Sequence, residues 1–90
     1  MKYAVVRINM AGVFVGYVAK MTNRKIVLVN GSRLWSWCGA LCVETIARCG
    51  VSSGSRRSSF TEQTIFLENG SQIIDASNKC RESIERLPNE

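Results

Sequence analysis

Arg33, Trp35 and Trp37 are the residues of this chain whose types and spacing best suit a ligand. On an extended strand all three share one face, while Leu34, Ser36 and Cys38 take the other. An indole face receives a planar base, and a guanidinium pairs with phosphate. The same tryptophans also suit a core or a subunit seam, because so large a side chain is usually well buried. Both readings stand, and a platform at a subunit seam would satisfy both. Arg48, Arg56 and Arg57 form a second group, set among serines and glycines whose amides and hydroxyls can meet an anion. A solvated connector is the plain alternative for that stretch. Together these six residues are the candidate ligand-binding set.

Catalytic chemistry finds little to work with. The chain has no histidine, so the commonest general base and metal ligand is missing. Cys38, Cys42 and Cys49 are spaced C-x3-C-x6-C, and Cys80 follows thirty-one residues later, which fits no common zinc pattern. Cys42, Ile46 and Cys49 stand at i, i+4 and i+7, so they are expected to mark the buried stripe of a helix. Small buried hydrophobes is the natural role for such thiols. Glu44, Glu62, Glu68 and Asp75 are scattered, with no spacing that forces two together. The Gly50-x-x-x-Gly54 stretch lacks the lysine of a phosphate loop. No catalytic residue, metal site or cofactor is expected, and binding is favoured over turnover.

Composition sets the frame around those residues. Ninety residues make a single domain, residues 1–90, and 46% hydrophobic against 21% charged residues describes a folding chain. So short a chain hides only about 60% of its unfolded surface, and self-association into a homo-oligomer is a natural way to bury more. Twelve Lys and Arg against seven Asp and Glu leave a charge of +5. That excess favours an anionic partner such as a nucleotide, nucleic acid or acidic protein surface, or else serves solubility. The first fifteen residues hold no continuous apolar run and no small-residue cleavage pattern, and no stretch is long enough to span a bilayer. The expected setting is therefore a cytoplasm, with all four cysteines as reduced thiols and no membrane contact.

The positioning elements follow from alternation and punctuation. Residues 3–9 and 13–20 alternate as two strands joined by Met10-Ala11-Gly12, with Gly12 supplying positive φ. In the second strand Val13, Val15 and Tyr17 take one face and Phe14 and Val18 the other. Gly16 interrupts it, a mark of a bulge or a close backbone approach. Residues 26–29 and 32–37 read as a hairpin around Asn30-Gly31. A helix over 40–49 follows, with Gly39 as N-cap and Gly50 as its stop. Residues 51–59 (VSSGSRRSS) read as a mobile basic loop.

Residues 64–68 and 72–75 read as a second hairpin around Asn69-Gly70. A final helix capped by Ser77 or Asn78 would bury Cys80, Ile84 and Leu87, pair Arg81 with Glu85 and Glu82 with Arg86, and stop at Pro88. The tracts 25–35 and 64–74 share Ile, Leu and Asn-Gly-Ser in frame, and turn chemistry alone accounts for most of that identity. The fold expected is α+β. An antiparallel sheet of five to six strands, built from an N-terminal meander and the second Asn-Gly hairpin, carries one short central helix and one C-terminal helix.

The tracts AGVFVGYV (11–18), NGSRLWSWCGA (30–40) and IFLENGSQIIDAS (65–77) resemble a family of small uncharacterised proteins encoded by tailed bacteriophages and prophages. Members show A-G-V-x-x-G, matched here by Ala11, Gly12, Val13 and Gly16, and an Arg-aromatic-x-Trp-x-Gly-Ala block, met here by Arg33, Trp35, Trp37, Gly39 and Ala40 with Leu34 set between the arginine and the aromatic. Asn30-Gly31-Ser32 and the serine loop at 52–59 depart from the family's pattern. The resemblance implies an accessory protein of the bacterial host cytoplasm, often a homo-oligomer. Its task would be to neutralise a host-defence component by sequestering an anionic nucleotide signal or masking a host protein. A nucleic-acid binder using the arginines as phosphate contacts is the second expectation, and a structural or assembly module the third.

Overall fold

A computed structural model describes residues 1–8, 12–40 and 42–88 of the chain. Among them an antiparallel six-stranded sheet carries two helices, so the fold is α+β as expected. The strands are β1 (Tyr3–Ile8), β2 (Gly12–Met21), β3 (Lys25–Ser36), β4 (Arg56–Arg57), β5 (Thr61–Phe66) and β6 (Gln72–Asp75). The helices are α1 (Val43–Cys49) and α2 (Asn78–Glu85). The sheet runs β4-β3-β2-β1-β6, and β5 lies against the first half of β3 on the same side as β4. Met10 and Ala11, expected in the first hairpin loop, lie outside the described residues; Gly12 opens β2 at φ 110°.

The expected hairpin at Asn30-Gly31 does not form; β3 runs straight through it. Asn30 takes φ 48°, a left-handed conformation that asparagine tolerates, and it lodges an extra residue in the strand. Pairing shifts there toward both neighbours, between Val15↔Ser32 and Tyr17↔Val29 on one side and between Leu28↔Gln63 and Gly31↔Thr61 on the other. A one-residue shift exchanges the two faces of a strand. Ile26 and Leu28 accordingly pack with Val6, Ile8 and Ile65 in one core cluster, whereas Leu34 packs with Val5, Val13 and Val15 in the other. The glycine in β2 fits this crossing point. A Cβ on Gly16 would stand 2.9 Å from the Gly31 Cα, so the close backbone approach expected at Gly16 is met.

The second Asn-Gly pair is a turn, but not of a hairpin. Ser71 donates its backbone N–H to the Glu68 carbonyl at 3.1 Å, and Gly70 takes φ 88°. The turn hands the chain from β5, beside β3, to β6, beside β1, so the two strands it joins are not partners. The two Asn-Gly-Ser tracts thus adopt different conformations, one a bulge and one a turn.

Both helices cover the face that holds Val5, Val13, Val15 and Leu34. α1 begins at Val43 rather than at residue 40, and its buried side chains are Val43, Ile46 and Ala47. Cys42 and Cys49 are exposed, which corrects the expected cysteine stripe: the helix turns its i, i+3, i+4 face to the sheet instead. α2 matches its expected design more closely. Ser77 Oγ accepts from the Cys80 N–H at 3.1 Å and donates to the Arg48 carbonyl at 2.7 Å, capping one helix while tying down the end of the other. Cys80, Ile84 and Leu87 are buried, and Arg81 meets Glu85 at 3.0 Å.

The serine-rich tract at 51–59 is tied to the sheet rather than left as a free loop. Within it β4 pairs with the end of β3. Ser32 Oγ donates to the Ser58 carbonyl at 2.7 Å, and Arg33 and Ser58 are joined through two more bonds. Further along, Ser55 Oγ accepts from the Cys38 N–H at 3.0 Å. Serines, read from the sequence as solvation, here serve as backbone partners.

Candidate functional site

Trp35 occupies the outer half of β3, 44% exposed despite its size. β4 lies alongside, and its Ser36↔Arg56 pairing sets Arg56 next to the indole. The Arg56 guanidinium carbon stands 5.8 Å from the Trp35 ring centroid, within cation–π range. Arg33, two residues back along β3, lies on the same face, and its guanidinium reaches over β2. A Cβ on Gly12 would stand 3.2 Å from the Arg33 Nε, so glycine leaves the room that the guanidinium fills. Trp35 is therefore flanked by one arginine toward β4 and another toward β2.

The remaining residues of the candidate set are dispersed. Arg57 is only 4% exposed, and its guanidinium is spent inside the fold. Nε donates to the Ile84 carbonyl at 3.0 Å, Nη1 to the Ser58 carbonyl at 3.0 Å and Nη2 to the Leu87 carbonyl at 2.7 Å. It satisfies carbonyls at the end of α2, a structural role in place of the expected ligand contact. The Arg57 guanidinium also lies 3.9 Å from the Phe60 ring centroid. Arg48 lies in the last turn of α1, where its carbonyl receives Ser77. Trp37 lies beyond the end of β3 and does not continue the Trp35 face. It lines a cavity with Val13 from β2 and Val43 from α1, both members of the helix-covered core.

Sequence reasoning missed that cavity altogether. Arg7, Glu44 and Gln72 reach it from β1, α1 and β6, and no spacing along the chain announces their meeting. Among the described residues no cluster of His, Cys, Asp and Glu could hold a metal ion. The titratable groups perturbed most by burial are Tyr3 of β1 and Cys80 of α2, which share the helix-covered core. Burial pushes the Cys80 thiol up to about 11 and drives the Tyr3 phenol upward as well. The Tyr3 ring packs edge-on against Tyr17 with centroids 5.1 Å apart.

The arrangement as a whole offers an exposed indole on β3 flanked by the Arg33 and Arg56 side chains, a surface suited to stacking and charge pairing. The family comparison extends over the elements that build it. The profile of Domain of unknown function DUF6948 matches residues 1–84. The chain belongs to this family. The match takes in every strand of the DUF6948 fold described above and almost all of α2. No curated protein and no solved structure matches the chain. No helix among the described residues is long and apolar enough to cross a membrane.

Proposed function

We propose that this DUF6948 chain is a non-catalytic binding protein whose Arg33, Trp35 and Arg56 surface holds an anionic nucleotide. One observation carries the reading: an indole left 44% exposed, with the Arg56 guanidinium 5.8 Å from its ring centroid. Exposure on that scale leaves one indole face for a base, while Arg33 and Arg56 supply charge for phosphate. The net charge of +5 draws anions toward the surface, and the absence of histidine supports binding without turnover.

The phage-like motifs at 11–18 and 30–40 give the biological setting of the proposal. In it the chain is an accessory protein of a phage or prophage that acts in the bacterial cytoplasm, as a homo-oligomer. It neutralises a host-defence component by sequestering a nucleotide signal, or by masking a host protein with the same surface. The openness of the Trp35 strand favours single-stranded nucleic acid as the second reading, since a strand needs a track rather than a walled pocket.

Thermal-shift titration with ATP, cyclic AMP and a single-stranded oligothymidylate tests the proposal. At least one probe is expected to raise the melting temperature, with the gain abolished by Trp35→Ala and reduced by Arg56→Ala. A response to the oligothymidylate alone, falling steeply with salt, selects the nucleic-acid reading. A melting temperature unmoved by all three probes overturns both.

A further inference from the structure

The cavity beside Trp37 holds about 540 Å³ and lies across the sheet from the Trp35 surface, on the helix side. Its apolar part comes from Val13 and Val43, and Trp37, 36% exposed, supplies an indole wall. Three polar side chains converge on it from three different elements. Arg7 and Gln72 are register partners on β1 and β6, joined by a long bond of 3.4 Å from Arg7 Nη1 to Gln72 Oε1. Glu44 enters from the first turn of α1. No ion pair among the described residues joins Arg7 to Glu44, although both line the same space.

A cation and an anion that line one space beside an indole without pairing to each other recognise a molecule carrying the complementary pair of groups. We infer that this cavity is a second binding site, for a compact planar ring that bears both an amino donor and an anionic group. The ring lies against Trp37, the amino group donates to the Glu44 carboxylate, and the anionic group meets the Arg7 guanidinium. Gln72, whose bond to Arg7 is long and easily exchanged, turns its carboxamide to the polar edge of the ring. The volume falls within the range of small-molecule sites, roughly 300–1,000 Å³. Two sources carry this chemistry: an amino-bearing nucleoside monophosphate and an aromatic amino acid.

Calorimetric titration of the unmodified protein with cytidine monophosphate, uridine monophosphate and L-phenylalanine tests the site. The two nucleotides differ where one has an amino group and the other a carbonyl. Cytidine monophosphate is expected to bind about tenfold more tightly than uridine monophosphate. Binding of L-phenylalanine instead assigns the amino-acid source. Glu44→Gln is expected to erase the preference for the amino-bearing base or to abolish the amino-acid complex, and Arg7→Gln to weaken either by about tenfold.

Trp35→Phe leaves Trp37 as the single indole, whose emission should then shift saturably with the probe that binds. A probe held by the Trp35 surface behaves the opposite way, surviving Glu44→Gln and failing in Trp35→Ala, so the two sites fail separately. The inference is overturned if neither cytidine monophosphate nor L-phenylalanine binds. Equal binding of the two nucleotides without binding of L-phenylalanine, or binding indifferent to both Glu44→Gln and Arg7→Gln, overturns it too.

Discussion

Arg57 donates from Nη2 to the Leu87 carbonyl at 2.7 Å, bridging thirty residues of chain between the short strand β4 and the end of α2. Its neighbour Arg56 points the other way, over Trp35. Two adjacent arginines, equivalent in the sequence, thus divide into a structural clamp and a surface cation. Strand alternation makes the division: one side chain faces the helix layer and the next faces solvent.

Unequal costs follow for the two arginines. Removing Arg57 takes the guanidinium from the Leu87 carbonyl and leaves the Ser58 and Ile84 carbonyls with Ser32 Oγ and the Leu87 N–H alone, and hydrogen bonds to a charged group are worth more than neutral ones. Arg57→Ala is expected to destabilise by about 3 kcal/mol, read as a lower urea midpoint. Arg56→Ala should leave that midpoint essentially where it was, because the side chain is exposed and lost packing is small.

The bulge in β3 makes a second, sharper demand. Asn30 holds φ 48°, which a β-branched side chain resists. Asn30→Val is expected to cost about 1–2 kcal/mol, whereas Asn30→Gly should be neutral within the error of a denaturation curve. Gly16→Ala should cost about 1–3 kcal/mol, since its Cβ would press on the Gly31 backbone, which has nowhere to go between β2 and β5.

Thiol chemistry separates the four cysteines. Cys38, Cys42 and Cys49 are exposed and Cys80 is buried, so a disulfide reagent should titrate three thiols quickly and the fourth only on unfolding. The Cys80 thiol is raised from 9.0 to about 11 by burial, so the folded protein keeps a proton that the unfolded chain has lost. Its contribution is full below pH 9 and is lost as pH rises toward 11. Tyr3, raised from its ordinary 10.0 in the same direction, adds to the fall. Stability measured across that window should decline, and Cys80→Ala should show a shallower slope.

How far these features were legible depends on their range along the chain. Local signals were readable. Ser77 as a cap, the Cys80, Ile84 and Leu87 stripe, the Arg81–Glu85 pair and the positive φ of Gly12 are all set within a few residues. The alternation of β2 placed Val13, Val15 and Tyr17 on the face where they are found. Asn30-Gly31 misled because its preference for left-handed backbone serves a bulge as well as a turn, and only β2 and β5 together decide which. The same bulge is invisible in a face count, yet it moves Leu34 across the sheet from Ile26 and Leu28.

Of the candidate site, Arg33 and Trp35 were readable as strand neighbours, and Arg56 joins them as a cross-strand neighbour. Arg57 could not be told from Arg56 until α2 was in place to receive it. Trp37 fell outside the expected row because β3 ends at Ser36, one residue short. Arg7, Glu44 and Gln72 meet only through tertiary folding, since each comes from a different element.

Trp35 carries the central claim, and its own emission is the most direct probe of it. Trp37→Phe leaves Trp35 as the single indole, and this protein is titrated with ATP, cyclic AMP and a single-stranded oligothymidylate while fluorescence is followed. Saturable quenching by at least one probe is expected, weakened by rising salt and lost when Arg33 and Arg56 are both replaced by alanine. An emission spectrum that none of the three probes changes would contradict a recognition surface at Trp35.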